Sequence, residues 1–225
     1  MSLFMKLYLK NIGYIIFHRL FFRVKEYNKE SLENKSFILC PNHTSDYDGP
    51  IFWSSMDNIS IMAKKECFKN KIVGNFLTKI NVVSVDRDSK QGNEVRQAIK
   101  YLKEGKKDKK VYMLFPQGTI SDINKNTINR IKPGAFYIAN LSKLPIVPVF
   151  IEQPRPFRRV RIVYGNKIEI DIRNENGVVD KEKLTEFREL WRKEILRLQQ
   201  EAEVLEKRPV RKLKLSLKHA NNNNG

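Results

Sequence analysis

The chain alternates short, continuously apolar runs with longer stretches whose apolar residues recur every three or four positions. The runs Phe37–Cys40, Ile59–Met62, Val82–Val85, Val111–Phe115 and Ile146–Ile151 are rich in β-branched side chains. Unbroken runs of this length predict strands buried on both faces. Between them, Gly92–Lys103 and Pro133–Leu141 predict helices. Two further runs, Val160–Val163 and Lys167–Ile170, flank Tyr164-Gly165-Asn166 and predict a hairpin. A long amphipathic helix is predicted from Lys181 to about Glu206, with Leu184, Phe187, Trp191, Ile195 and Leu198 on one side. Strands alternating with helices predict an α/β domain. It has a largely parallel central sheet flanked by helices, an N-terminal interfacial helical segment and a long C-terminal helix.

The N-terminal segment is the most apolar part of the chain, yet Lys6, Lys10, Arg19 and Arg23 interrupt it. Its longest charge-free run is far short of the roughly 20 residues that a membrane span needs. It has no small-residue cleavage site of the kind a signal peptide carries. Phe4, Tyr8, Tyr14, Phe17, Phe21 and Phe22 set among basic residues predict a helix lying in a membrane interface. The simpler alternative is a helix packed on the domain. The pattern divides the chain into an apolar and basic segment over 1–30, an α/β domain over 31–206 and a basic tail over 207–225, expected to be disordered.

Charge sharpens this picture. The 225 residues carry a formal net charge of +18. An anionic partner is implied: nucleic acid, a phosphate-bearing substrate or an acidic membrane. Met1–Lys25 contributes +5 and the stretch from Lys207 onward +6, both without an acidic residue, and the centre keeps +7. In both ends the charge is mixed with large apolar side chains, as in Leu213-Lys214-Leu215-Ser216-Leu217-Lys218. That mixture favours an anionic bilayer surface over a nucleic-acid groove. Two cysteines, Cys40 and Cys67, and three histidines exclude a disulfide framework and a Cys- or His-rich metal centre. A reducing, cytosol-facing location follows.

In α/β sheets, ligands bind beyond the carboxyl ends of the strands. Three such ends lead into unusual polar segments. After Cys40 comes Pro41-Asn42-His43-Thr44-Ser45-Asp46-Tyr47-Asp48. A carboxylate could orient the His43 ring, leaving its other nitrogen to take a proton from a substrate hydroxyl. By spacing, Asp46 and Asp48 are equally in reach. Asp48 followed by Gly49-Pro50 is also a good helix N-cap with proline in the first turn. After Val85 comes Asp86-Arg87-Asp88, where Arg87 could grip a phosphate or simply pair with its neighbours. After Phe115 comes Pro116-Gln117-Gly118-Thr119-Ile120-Ser121, either a phosphate-holding turn or a plain Pro-Gly turn.

Taken together, these segments resemble the glycerolipid acyltransferase superfamily, typified by 1-acylglycerol-3-phosphate acyltransferases. Asn42–Asp48 resembles its first block, a His and an Asp separated by four residues. Asp86-Arg87-Asp88 resembles the second, and Phe115–Ser121 the third, usually Phe-Pro-Glu-Gly-Thr-Arg-Ser. Leu144-Pro145-Ile146-Val147-Pro148-Val149 resembles the fourth, and Lys132-Pro133-Gly134-Ala135 a basic helix start common in the family. The blocks come in family order over Phe37–Ile151.

The resemblance implies that His43 is the general base on a glycerol hydroxyl and that Asp48 orients it. It implies that Arg87, Gln117, Gly118, Thr119 and Lys132 bind substrate. It implies an acyl thioester donor, acyl-CoA or acyl carrier protein, with no acyl-enzyme, cofactor or metal. Two departures stand out: Gln117 where the family usually has Glu, and Ile120 where it usually has Arg. The acceptor is therefore open, a lysophospholipid or related glycerolipid. The sequence predicts a monotopic enzyme on the cytoplasmic face of a membrane, partnered by anionic bilayer lipids and the acyl donor, with no nucleic acid. Rival readings are a catalytically silent lipid-binding relative and a basic nucleic-acid-binding domain that uses Arg155, Arg158, Arg159 and Arg161 around Phe157. A Ser-His-Asp hydrolase is excluded by the lack of a Gly-x-Ser-x-Gly elbow.

Overall fold

The computed structural model describes residues 3–32, 35–85, 93–103, 109–120, 128 and 131–206. Arg87 with its flanking acids, Ser121 and the basic tail over 207–225 lie outside the described residues. The chain begins with helix α1 (Leu3–Tyr14), continued by a π-helical segment, Ile15–Phe21, and strand β1 (Val24–Tyr27). Then follow β2 (Phe37–Pro41), α2 (Asp48–Ser55), β3 (Ile59–Lys64), α3 (Lys71–Lys79) and β4 (Val82–Val85). Helix α4 (Asn93–Lys103), β5 (Val111–Met113), α5 (Gly134–Ser142), β6 (Ile146–Ile151), β7 (Val160–Tyr164) and α6 (Lys181–Glu206) complete it.

The seven strands form one sheet in the order β1-β7-β6-β2-β5-β3-β4. From β6 through β4 every neighbouring pair is parallel. The central strands are apolar without interruption because both faces are covered. Ile38, Cys40, Tyr112 and Phe150 point to one face and pack with Phe136, Trp191, Ile195 and Leu198 of α5 and α6. Phe37, Leu39, Met113 and Val149 point to the other and pack with Ile51, Phe52 and Trp53 of α2 and with Phe22. The positions read as the apolar side of α6 are those that meet the sheet.

The predicted hairpin is not formed. β7 lies antiparallel along β6, and Ile168, from the second run, bridges Ile146 further down the same strand. The register moves from Val149 opposite Tyr164 to Ile146 opposite Ile168. One extra residue is therefore accommodated at Gly165, whose N–H donates to the Pro148 carbonyl at 2.9 Å. A Cβ there would come within 3.0 Å of that same oxygen. The two runs are thus one strand interrupted by a bulge.

The N-terminal segment does two things at once. One side docks on α2: the buried His18 has Nε2 at 3.1 Å from the Ile51 carbonyl, and Gly13 faces Ser54 and Trp53. Burial lowers the pKa of His18, favouring the neutral ring that such a site can hold. The other side leaves Leu7, Tyr8, Ile15, Ile16, Leu20 and Phe21 exposed. Its end, β1, belongs to the sheet beside β7. Among the described residues no helix is long and apolar enough to cross a membrane.

Arg161 of β7 is fully buried and makes a bidentate pair with Glu152: Nε to Oε2 at 2.9 Å and Nη2 to Oε1 at 3.0 Å. Its Nη1 donates to the Ala202 carbonyl of α6. The Arg cluster read from the sequence therefore loses one member to the interior. Arg161→Leu takes both of these bonds from the buried Glu152 carboxylate, and urea unfolding is expected to show a loss of about 3–5 kcal/mol.

Candidate active site

The site forms where β2 and β5 leave the sheet side by side. Past Pro41 the Asn42 N–H still donates to the Val149 carbonyl at 3.2 Å, and the Asn42 side chain then extends the ladder. Its Oδ1 accepts from the Ile151 N–H at 2.8 Å, and its Nδ2 donates to the Ile151 carbonyl at 2.9 Å. Two residues before Asn42, Trp191 of α6 donates its indole N–H to the Cys40 carbonyl at 2.9 Å. The stem of the loop is thus held from β6 and from α6.

The loop then folds around one carboxylate. Asp48 has no exposed surface. Its Oδ2 accepts from the Thr44 N–H at 2.7 Å and the Ser45 N–H at 3.0 Å, and lies 3.0 Å from Nδ1 of His43. Its Oδ1 accepts from the Thr44 hydroxyl at 3.2 Å. With a carboxylate as acceptor, the His43 hydrogen sits on Nδ1, and Nε2 is left as the basic nitrogen. Asp46, equally near in sequence, is exposed. The N-cap reading of Asp48 does not hold: Tyr47 occupies the cap position without a side-chain bond, Asp48 is the first residue of α2, and its carboxylate turns back to the amides of Thr44 and Ser45.

The turn after β5 supplies the other half. Gln117 is buried, and its Oε1 accepts the His43 backbone N–H at 2.8 Å. Phe115 stacks on the His43 ring with centroids 3.8 Å apart and planes 12° apart. Gly118 has a φ of 73°, and a Cβ built on it would lie 2.7 Å from Cε of Lys132. The lysine is fixed there because its own N–H donates to the Pro116 carbonyl at 2.7 Å. Lys132 and Gly118 share a pocket of about 220 Å³ with Phe115, Met62, Val95, Leu114 and Ile138. Its wall is apolar, with one ammonium on its stem among these side chains.

Of the residues singled out in the sequence, the structure brings together His43, Asp48, Gln117, Gly118 and Lys132. Thr119 follows directly and is exposed, as is Ile120. Arg87 lies outside the described residues. Three contributors carried no assigned role in the sequence reading: Phe115, Asn42 and Trp191. The pairing of Leu39 with Met113 brings residue 115 level with the His43 loop, a signal available only once the strand order is known.

Residues 23–152 match the Acyltransferase protein-family model. The chain belongs to that family. The acyltransferase domain resembles a Bacillus subtilis 1-acyl-sn-glycerol-3-phosphate acyltransferase, with 36% identity over 134 residues, 58% of this chain and 63% of that protein. It resembles one from Saccharomyces cerevisiae at 33% identity, over 57% of this chain and 42% of that protein. A third, from Streptococcus pneumoniae, is 30% identical over 65% of this chain and 56% of that protein. The matched part thus covers 42–63% of these relatives' length. In fold, the domain resembles the crystal structure of PlsC, the 1-acyl-sn-glycerophosphate (LPA) acyltransferase of Thermotoga maritima. The TM-score is 0.64 at 23% identity, covering 90% of this chain and 80% of that one.

The Asn42 clamp gives a test of how the acyltransferase loop is held. Asn42→Ala strands a buried N–H and a buried carbonyl on Ile151. Thermal or urea unfolding is expected to show a loss of about 1–3 kcal/mol.

Proposed function

We propose that the chain is a membrane-associated O-acyltransferase of the 1-acylglycerol-3-phosphate type. It moves a fatty acyl group from an acyl thioester to a hydroxyl of a lysophospholipid or related glycerolipid. The observation that carries the reading is the contact of His43 Nδ1 with the buried Asp48 at 3.0 Å, at the carboxyl end of a parallel strand. The names of the relatives support the substrate class.

In this mechanism Nε2 of His43 takes the proton of the acceptor hydroxyl as its oxygen attacks the thioester carbonyl. Asp48 holds the ring in the one tautomer that can do so and balances the positive charge that forms. Collapse of the tetrahedral intermediate breaks the carbon–sulfur bond, and the thiolate recovers the proton from His43. The electron pair ends on sulfur, so neither an acyl-enzyme nor a cofactor or metal is needed. Acyl-CoA or acyl carrier protein would serve as donor.

The lining of the adjoining pocket suits an amphiphile. Met62, Val95, Leu114 and Ile138 offer apolar contact, and Lys132 a cation for an acceptor phosphate. Thr119 and Arg87 complete the proposed acceptor site in sequence. Ile120 removes a cation that the family usually has, which throws more of that task on Lys132. Gln117 is proposed to act through His43, by fixing the loop backbone, rather than by touching the acceptor.

Incubation with acyl-CoA or acylated carrier protein and a panel of lysolipids, read by mass spectrometry, tests the reaction. His43→Ala is expected to lower the rate by about 10²–10⁴-fold. Unchanged turnover in that variant sinks the mechanism, and binding of lysolipid without any product would mark a silent relative. Gln117→Ala is expected to lower kcat more than it raises KM, with Gln117→Glu restoring the rate because its carboxylate can still accept the His43 N–H.

A further inference from the structure

The loop that joins β6 to β7 stands at the same edge of the sheet as the His43 loop, because β6 runs parallel to β2. The end of the π-helical segment arrives at this edge too, because β1 runs parallel to β7 and so starts where β6 ends. Phe157, in the β6–β7 loop, is 68% exposed and has a φ of 61°. A bulky residue in the left-handed region is a costly choice, made here at an exposed tip and with an apolar ring facing water.

The tip is firmly held. The Phe157 N–H donates to the Phe21 carbonyl, and the Val160 N–H to the Phe22 carbonyl at 3.1 Å. The buried Glu152–Arg161 pair ties the two ends of the loop. Phe157 stacks on Phe21 at 5.5 Å between centroids; Phe21 adjoins Phe22 at 5.9 Å, and Phe22 adjoins Tyr47 at 5.1 Å. Tyr47 is exposed and directly precedes Asp48. A chain of four rings thus runs from the loop tip to the His43–Asp48 contact.

The surroundings are basic. Residues 153–159 include Arg155, Arg158 and Arg159 and no acidic residue, and all three arginines are exposed. Arg19 and Arg23, across the Phe21–Phe157 contact in sequence, are exposed as well. Arg159 is paired with Glu206 at 3.3 Å, so it contributes less than the others.

We propose that this loop is a second lipid contact. Phe157 enters the interface of an anionic bilayer beside Phe21 and Leu20, and Arg155 and Arg158 meet the headgroups. This contact turns the mouth of the His43 site to the lipid surface. The proposal rests on the membrane reading above and adds to it a named element and an orientation. A nucleic-acid groove would use the same arginines, but it has no need of an exposed Phe157 stacked on an apolar segment that also exposes Leu20, Ile15 and Ile16. Aromatic and aliphatic side chains ringed by arginine are what an anionic interface takes up.

Co-sedimentation of the full chain with phosphatidylcholine vesicles, with and without phosphatidylglycerol, tests both levels. The wild-type chain is expected to bind the anionic vesicles. Phe157→Asp is expected to weaken that binding about tenfold or more, and Arg155→Gln with Arg158→Gln by about the same factor. Phe157→Trp reports insertion directly, since Trp53 and Trp191 are both buried. Its emission is expected to shift to the blue with vesicles and to be quenched by brominated lipid. If the wild-type chain ignores anionic vesicles, the membrane reading itself falls. If it binds and neither the Phe157 variants nor the arginine pair changes anything, only the loop contact falls. Salt-sensitive RNA or DNA binding that the arginine pair abolishes, without vesicle binding, would make the surface a nucleic-acid interface instead.

Discussion

A carboxylate shut away from water must be surrounded by donors, and Asp48 is the point from which the site is built. Thr44 N–H, Thr44 hydroxyl, Ser45 N–H and the His43 ring all converge on it. Leaving such a charge unpaired in the interior would cost more than most single interactions contribute. The loop after β2 takes its shape from that requirement, because two consecutive amides must turn inward to reach one oxygen. The imidazole is held by the same oxygen. The chemical use proposed for Asp48 is therefore compatible with its structural one, since one carboxylate holds the loop amides and the His43 ring at once.

The direction of the strands does the rest. In a sheet whose central strands run parallel, the loops that follow them emerge on one edge. The His43 loop, the Phe115–Ile120 turn and the β6–β7 loop share that edge through the registers of β2 with β5 and with β6. The reversed strands at the far side, β7 and β1, bring the end of the N-terminal segment to it as well. The apolar segment thereby ends in ring contacts that reach Tyr47, the residue before Asp48. The proximity follows from topology, and no contact had to be built for it alone.

Much of this was legible in the chain. Buried parallel strands show themselves as unbroken apolar runs, so the core and α6 could be read directly; spacing left Asp46 and Asp48 level, and the family blocks pointed to Asp48. Lys71–Lys79 forms α3, capped by Asn70 through the amides of Ile72 and Val73; Ile72, Val73, Phe76 and Leu77 recur at helical spacing, so this helix was legible in the chain as well. Other features were not. The hairpin was predicted from two runs separated by a glycine, whereas Gly165 marks a bulge against β6. Arg161 looked like its neighbours on the chain, and only the alternation of β7 sends it inward to Glu152. Partners across the fold are invisible to local patterns. The stacking of Phe115 on His43 and the Trp191–Cys40 bond belong to that class.

The departure at residue 117 becomes intelligible in these terms. The His43 amide needs an acceptor oxygen, and the Gln117 amide supplies one at 2.8 Å as well as a carboxylate would. What the exchange removes is charge. The amide keeps the hydrogen bond without it. The exposed Ile120 lies on the same turn and shifts the balance further. With no negative charge at 117 and no positive charge at 120, the turn is close to neutral, and Lys132, held against Gly118, becomes its nearest described cation. On the proposed function, such a site would select its acceptor less by a charged cradle on the turn than by the apolar wall beside it and the Lys132 ammonium.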